Sequence, residues 1–134
     1  MDDAVVIAVR QRTAQRCEYC HLPADCSEAP FQIDHIIARK HSGPTAAGNL
    51  ALTCFYCNSY KGPNIAGIDP RSGKIVRLFH PRRDRWHEHF RVERESGTIL
   101  GLTSTGRATV AILQMNRPIQ LAARRQWMLL GLFP

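Results

Sequence analysis

Two Cys-x-x-Cys pairs constrain this chain more than any other feature of its sequence. The first pair is Cys17 and Cys20, the second is Cys54 and Cys57, and the 33 residues from His21 to Thr53 separate them. Each pair points two thiolates at one tetrahedral ion, and two pairs complete a four-sulfur zinc site with no open coordination position. The pattern therefore predicts one structural Zn²⁺ ion, which closes the intervening segment into a loop.

Disulfide bonds and buried free thiols account less well for the cysteines than a zinc site does. The longest apolar run near the start, Ala4 to Val9, follows two aspartates and is too short for a secretory segment or a membrane span. We therefore expect a soluble, cytoplasmic protein with no membrane partner, in which disulfides are uncommon. Buried free cysteine is the alternative to zinc, but chance rarely gives two such pairs. Cys26 is left over and is assigned no role.

Size and charge add a second constraint. With 134 residues, 44% of them hydrophobic and 22% charged, the chain fits one globular domain. The net charge is +7, and its excess lies in the second half: residues 1–61 hold 6 basic and 6 acidic side chains, whereas residues 62–134 hold 12 and 5. A one-sided basic surface suits a polyanion. A charged surface kept for solubility is the alternative.

Local patterns predict a compact unit around the cysteine pairs. The predicted order is a short helix within residues 3–15, a strand over 31–37, a loop over 38–48, a second strand over 49–53 and a helix from Cys54 to Lys61. The first strand is expected to end near His35 to Ile37. Gly62 and Pro63 supply the stop for the helix.

The second half of the chain gives weaker signals. They predict a strand over 75–79, short strands at 91–92 and 98–102, a helix capped by Thr103 or Thr105 that contains Val110 to Met115, and a final helix from Pro118 to Leu130.

Four polar residues stand at informative positions in the first half. Asp34 and His35 lie on the first strand, Asn49 opens the second strand 14 residues after His35, and Asn58 lies on the helix 9 residues later. Here the sequence resembles the HNH endonucleases of the ββα-metal fold. The resemblance covers residues 16–62 and includes Ile33-Asp34-His35-Ile36-Ile37, Gly43-Pro44, Gly48-Asn49-Leu50 and the run from Cys54 to Gly62. In that family the third motif letter is either His or Asn, so Asn58 is a permitted variant.

The resemblance implies an α+β fold. Residues 1–63 are expected to form an N-terminal helix and a ββα-metal core that the four-cysteine zinc site staples together. Residues 64–134 are expected to form a small basic α/β extension packed on the same single domain. The segment from Leu78 to Pro118 looks like the C-terminal extension of some stand-alone bacterial HNH proteins, which is a less specific resemblance.

The resemblance also implies a role for each of the four polar residues. His35 is expected to be the general base, since imidazole titrates near neutral pH. Asp34 and Asn58 are expected to supply oxygen ligands to one catalytic Mg²⁺ or Mn²⁺ ion. Asn49 is expected to orient the loop that holds His35. Because adjacent strand residues point to opposite faces, Asp34 and His35 serve one phosphate only if the strand bends or ends there.

Each of these residues also has a purely structural interpretation. His35 would be a core histidine, Asn49 a turn-forming residue and Asn58 a polar residue on an exposed helical face. Seven further side chains are candidates for contact with nucleic-acid phosphates, although they equally suit a solvated surface: Arg39, Lys40, His41, Lys61, Arg82, Arg83 and Arg85.

The predicted function is that of a metal-dependent HNH endonuclease that contacts the backbone of double-stranded DNA and hydrolyses its phosphodiester bonds. One site meets one phosphate, so a monomer should nick one strand, and a double-strand break needs a homodimer or two successive events. The resemblance implies 5′-phosphate and 3′-hydroxyl products. A non-catalytic zinc-ribbon module that binds nucleic acid is the alternative. An RNA-directed or toxin-like nuclease would share the chemistry.

Overall fold

The computed structural model describes residues 1–134. The helices are α1 (Asp3–Arg12), α2 (Phe55–Lys61), α3 (Trp86–His89), α4 (Ser104–Ile112) and α5 (Pro118–Leu129). The strands are β1 (Gln32–His35), β2 (Leu50–Thr53), β3 (Ala66–Ile68), β4 (Ile75–Arg77), β5 (Phe90–Val92) and β6 (Ile99–Gly101). The strands pair in sequence order as three antiparallel two-stranded sheets, so the fold is the predicted mixture of helices and short strands, an α+β fold.

Strands β1 and β2 lie between the two cysteine pairs, and α2 begins within the second pair, in the predicted order. Gln32 pairs with Thr53 and His35 pairs with Leu50 at the two ends of the hairpin. Every residue of β2 is buried, because α1 packs on this strand. Helix α2 packs against β1 and thereby covers the hairpin from another side.

Local capping explains where several helices begin and end. The Asp2 carboxylate accepts a hydrogen bond from Ala4 N at the start of α1, and Thr103 Oγ1 accepts one from Gly106 N at the start of α4. Pro118 occupies the first turn of α5, and Gly62 ends α2 with a positive φ of 51°. The roles of Gly62, Thr103 and Pro118 had been predicted from the sequence, whereas the cap at Asp2 had not.

Other boundaries differ from the prediction. Helix α1 ends at Arg12 because Ala14 and Gln15 adopt positive φ angles, and α4 ends at Ile112, two residues before the positive φ of Gln114. Strand β3 and the four-residue helix α3 had not been predicted.

One hydrophobic core connects the two halves of the chain. Its 20 buried residues run from Val9 to Met115. Trp86 in α3 is part of this core, and its indole N–H donates to the carbonyl of Tyr19 over 2.7 Å. Arg124 in α5 is also buried and donates to the carbonyls of Gly97 and Met115. The extension is therefore held to the first cysteine pair and to its own turns by buried polar contacts.

A second link joins α5 to the outer side of α2. The guanidinium of Arg117, the residue that precedes α5, lies over the rings of Tyr56 and Tyr60, 4.6 and 5.0 Å from the ring centres. Such cation–π contacts are favourable when the cation is partly desolvated. They fix the beginning of α5 against a helix of the first half.

An ion pair fixes the turn between β3 and β4 to α4. Arg107 donates through Nε and one terminal nitrogen to both oxygens of the fully buried Asp69, at 2.8 and 3.0 Å. The Ser72 hydroxyl and the Arg71 N–H donate to the same carboxylate. Chiefly because of the Arg107 bonds, the pKa of Asp69 lies well below its ordinary value of 3.8.

This ion pair predicts a specific loss of stability in acid. Since the folded state holds Asp69 ionised, its contribution to stability is complete above pH 3.8 and is lost as pH falls below that value. Asp69→Asn should lower the urea midpoint at pH 7 and flatten the decline of that midpoint between pH 4 and pH 2. Urea titrations followed by circular dichroism across this range test the prediction. An equally steep decline of the urea midpoint between pH 4 and pH 2 in the variant and the native protein would contradict it.

Candidate active site and metal centre

The four paired cysteines form one cluster in the structure. Their sulfur atoms all lie within 4.8 Å of one another, and every one of the four residues is buried. Cys20 Sγ and Cys54 Sγ are 3.8 Å apart. A tetrahedral zinc site with Zn–S bonds of about 2.3 Å has sulfur–sulfur edges of about 3.8 Å. The cluster therefore fits Zn²⁺, as the spacing of the two pairs predicted.

The thiols of the cluster also affect one another electrostatically. Hydrogen bonds from neighbouring thiols, that of Cys17 first, hold the pKa of Cys54 far below its usual range, while contacts with Cys17 raise the pKa of Cys20 and Cys57. Cys54 Sγ is also the N-cap of α2 and accepts from Cys57 N over 3.4 Å. A bound cation would replace these contacts between thiols, since cysteine binds metal as the thiolate.

Asn49 secures the loop that follows β1. Its side-chain oxygen accepts from Ile37 N at 2.8 Å, and its side-chain nitrogen donates to the carbonyls of Ile37 and Pro44, both at 2.9 Å. The Asn49 carbonyl accepts from Ile36 N. Asn49 is buried, so these bonds are shielded from water. One side chain therefore ends the β1 ladder and closes the loop back onto it.

His35 is the last residue of β1 and lies directly before this Asn49-bonded segment. Its Nε2 lies 2.8 Å from the hydroxyl oxygen of the exposed Thr45 in the loop, and its Nδ1 makes no hydrogen bond within the protein. Asp34 and His35 both lie in the paired part of β1, and the strand ends directly after His35. That the two residues serve one phosphate stays a prediction.

Asp34 is buried and makes two contacts through the same oxygen. Its Oδ2 lies 3.0 Å from the ammonium of Lys61 and accepts a hydrogen bond from the Tyr19 hydroxyl at 3.3 Å. Burial raises the pKa of the Asp34 carboxyl above its ordinary value, and Lys61 opposes that rise. Its other oxygen, Oδ1, makes no hydrogen bond within the protein.

Asn58 faces β1 from α2. Its side-chain nitrogen donates to the side-chain oxygen of Gln32, two residues before Asp34, and its own amide oxygen accepts no hydrogen bond. A carboxylate oxygen and an amide oxygen without protein partners, on facing elements, form a donor set that suits Mg²⁺ or Mn²⁺. The two predicted ligand residues thus fit a hard divalent ion by their chemistry.

The predicted nucleic-acid contacts fall into two groups. Five of the seven side chains are exposed: Arg39, Lys40, His41, Arg83 and Arg85. The other two form internal ion pairs, Lys61 with Asp34 and Arg82 with Glu18. The side chain of Lys61 is 1% exposed and its ammonium is paired inside the protein, which favours a role other than contact with DNA.

Three neighbours of the site were missed by the sequence reasoning. Tyr19, Gln32 and Thr45 contact Asp34, Asn58 and His35 respectively. Gln32 lies two residues before Asp34 and therefore on the same strand face, a signal that was present in the sequence. The contact of Tyr19 depends on the tertiary packing of the first cysteine pair, which no local pattern specifies.

Comparison with known proteins gives one match. Residues 17–64 match the family model described as HNH endonuclease, from the first cysteine of the cluster to three residues beyond α2. No curated protein and no solved structure gives a significant match. The structure also contains no helix with both the length and the apolar character needed to span a bilayer.

Removal of the metal should disrupt the fold. The purified protein is expected to hold one zinc ion per chain, and chelation should abolish its near-ultraviolet circular dichroism because the cluster joins two distant segments. Cys57→Ser should lose the zinc. Cys26→Ser is the matched control, since Cys26 lies outside the cluster, and should retain it. Zinc loss in both variants would refute the assignment of the four ligands.

Asn49→Ala should loosen the loop after β1. The substitution leaves the Ile37 N–H and two carbonyls without partners and should cost about 3 kcal/mol of unfolding free energy. The Ile37 amide should exchange its hydrogen faster. Asn49→Asp keeps the acceptor for that amide and loses only the donor, so it should preserve the protection of Ile37. Urea titration and hydrogen exchange measure the two effects, and equal protection in native protein and Asn49→Ala would contradict the role.

Proposed function

We infer that this chain, whose residues 17–64 form a domain of the HNH endonuclease family, is a metal-dependent endonuclease that hydrolyses phosphodiester bonds in double-stranded DNA. The observation that carries the proposal is the set of Asn49 hydrogen bonds that ends β1 at His35, next to Asp34. This arrangement supports a base and a metal ligand that act on one phosphate.

His35 is the general base in this proposal. Its ring is held at Nε2 by the Thr45 hydroxyl, so Nδ1 is the nitrogen available to take a proton from the attacking water. Asn49 acts through its hydrogen bonds to the loop and is a positioning residue. Its bonds to Ile37 fix the backbone two residues after the base.

Asp34 and Asn58 are the residues that would hold the catalytic ion. Each retains a side-chain oxygen without a protein partner. An Mg²⁺ or Mn²⁺ ion held by these residues would supply positive charge to stabilise the phosphate and the leaving oxygen. The carboxylate supplies the only formal negative charge of this pair of ligands, so Asn58 contributes a neutral oxygen dipole.

The exposed basic side chains are proposed to bind the DNA backbone. Arg39, Lys40 and His41 are exposed on the loop that follows the base, and Arg83 and Arg85 are exposed in the extension. Such contacts position phosphates next to the site. A cytoplasmic setting is part of the proposal, because four of the five cysteines are grouped for metal binding, a use of cysteine that is typical of reducing compartments. One chain holds one such site, so nicking of one strand is the elementary event.

His35→Ala tests the proposed function. Zinc-loaded native protein should convert supercoiled plasmid to the open circle only with Mg²⁺ or Mn²⁺, and the variant should lose at least about 10²-fold in rate, as expected for a general base. His87→Ala is the matched control, since this exposed histidine lies in the extension outside the proposed site. Gel electrophoresis of early time points separates nicked from linear product.

Two results would redirect the assignment. Linear product without an open-circle intermediate would replace nicking by concerted cleavage of both strands. Absence of cutting with every divalent ion, on DNA and RNA alike, together with salt-sensitive DNA binding, would favour the non-catalytic zinc-ribbon module.

A further inference from the structure

Lys61 is the most unusual charged residue of the chain. It is the last residue of α2, and its side chain is 1% exposed. Lysine is rarely buried to this extent unless its charge is paired, because removing an ammonium from water is costly. A cation at the end of a helix usually remains in solvent, where it interacts with the terminal carbonyls. Lys61 instead extends its ammonium into the interface between α2 and β1.

The Lys61 ammonium contacts two consecutive residues of β1. It lies 3.0 Å from Oδ2 of Asp34 and donates to the carbonyl oxygen of His35 at 3.2 Å. One contact holds the carboxylate of the proposed metal ligand, and the other holds the backbone of the proposed base. Both contacts are made on the protein side of β1, away from solvent.

We propose that Lys61 is a positioning residue, which fixes the Asp34 carboxylate and the His35 backbone relative to each other for the hydrolysis of DNA. The inference rests on the proposed function and assigns Lys61 a role inside the site, where no DNA phosphate reaches it.

The geometry of Asp34 explains how such positioning works. The two oxygens of a carboxylate are rigidly related, so a hold on Oδ2 also sets the direction of Oδ1. Oδ2 is held by Lys61 and by the Tyr19 hydroxyl, and Oδ1 is the oxygen without a partner. The two donors therefore prevent rotation of the carboxylate and leave one oxygen available to a divalent ion.

The same pair compensates the burial of both charges. An isolated carboxylate at the position of Asp34 would be costly to ionise, and an isolated ammonium at Lys61 equally so. Together they form a neutral pair with a hydrogen bond to the backbone. Removal of Lys61 leaves the buried Asp34 carboxylate without a counter-charge and held by the Tyr19 hydroxyl alone.

Lys61→Met tests the proposal, because methionine fills the buried volume without charge or donor. The cleavage rate under single-turnover conditions, with saturating DNA and Mg²⁺, should fall by about 10²-fold, as expected for a misplaced catalytic group. DNA affinity without divalent ion, and its salt dependence, should equal those of native protein. Lys74→Met, at an exposed turn, is the matched control and should change neither quantity.

A second variant keeps the test valid if Lys61→Met fails to fold, which zinc content and circular dichroism reveal. Tyr19→Phe removes only the other donor to Oδ2 and should reduce the cleavage rate in the same way, without an effect on DNA affinity. If both single variants fold, the double variant should lose less than the product of the two separate losses, since both donors act on one oxygen.

The outcomes separate the possible errors. If Lys61→Met lowers DNA affinity and reduces the salt slope by about one phosphate contact, Lys61 binds DNA directly and the positioning role is wrong. If Lys61→Met, or Tyr19→Phe in its place, folds and cleaves at the native rate, the role is also wrong. A native protein that cleaves no nucleic acid contradicts the proposed function itself, before any variant is compared.

Discussion

The four-cysteine cluster is the constraint on which the rest of the structure depends. The segment between the pairs contains β1, its loop and β2, and the cluster holds both ends of that segment together. Cys54 belongs to the cluster and also caps α2. A seven-residue helix is marginal by itself, so its position follows from this anchor. The cysteine cluster therefore sets where Asn58 and Lys61 of α2 lie relative to β1.

The polar contacts between β1 and α2 form the second level of organisation. Gln32 faces Asn58, and two residues further along the strand Asp34 faces Lys61, three residues further along the helix. Strand and helix therefore run in the same direction across this interface. Polar groups in such an interface are costly unless paired, and the pairing here leaves single oxygens of Asp34 and Asn58 without partners. Those two oxygens are what make the interface a candidate site rather than a core.

Much of this unit could be predicted because its signals are local. The spacing of the cysteine pairs, the turn residues before Asn49 and the Gly62–Pro63 stop each specify a short stretch of backbone. The burial of the Lys61 side chain could not be predicted, because a lysine at a helix end is equally compatible with solvent and with a buried carboxylate. The ion pair of Arg82 with Glu18 could not be predicted for a different reason, because the two residues lie far apart in the sequence. Strand β3 and helix α3 are too short to show a hydrophobic period.

The contact of Arg117 with Tyr56 and Tyr60 affects whether residues 17–64 can fold in the same way without the rest of the chain. Helix α2 carries Asn58 towards β1 on one side and is covered by Arg117 on another, so the helix is shared between the matched segment 17–64 and the extension. If residues 17–64 alone were transferred into another protein, Tyr56 and Tyr60 would become more exposed and would lose their contact with the Arg117 guanidinium. A segment that folds as it does here is consequently longer than the matched residues 17–64, and it reaches at least to Arg117, the residue before α5.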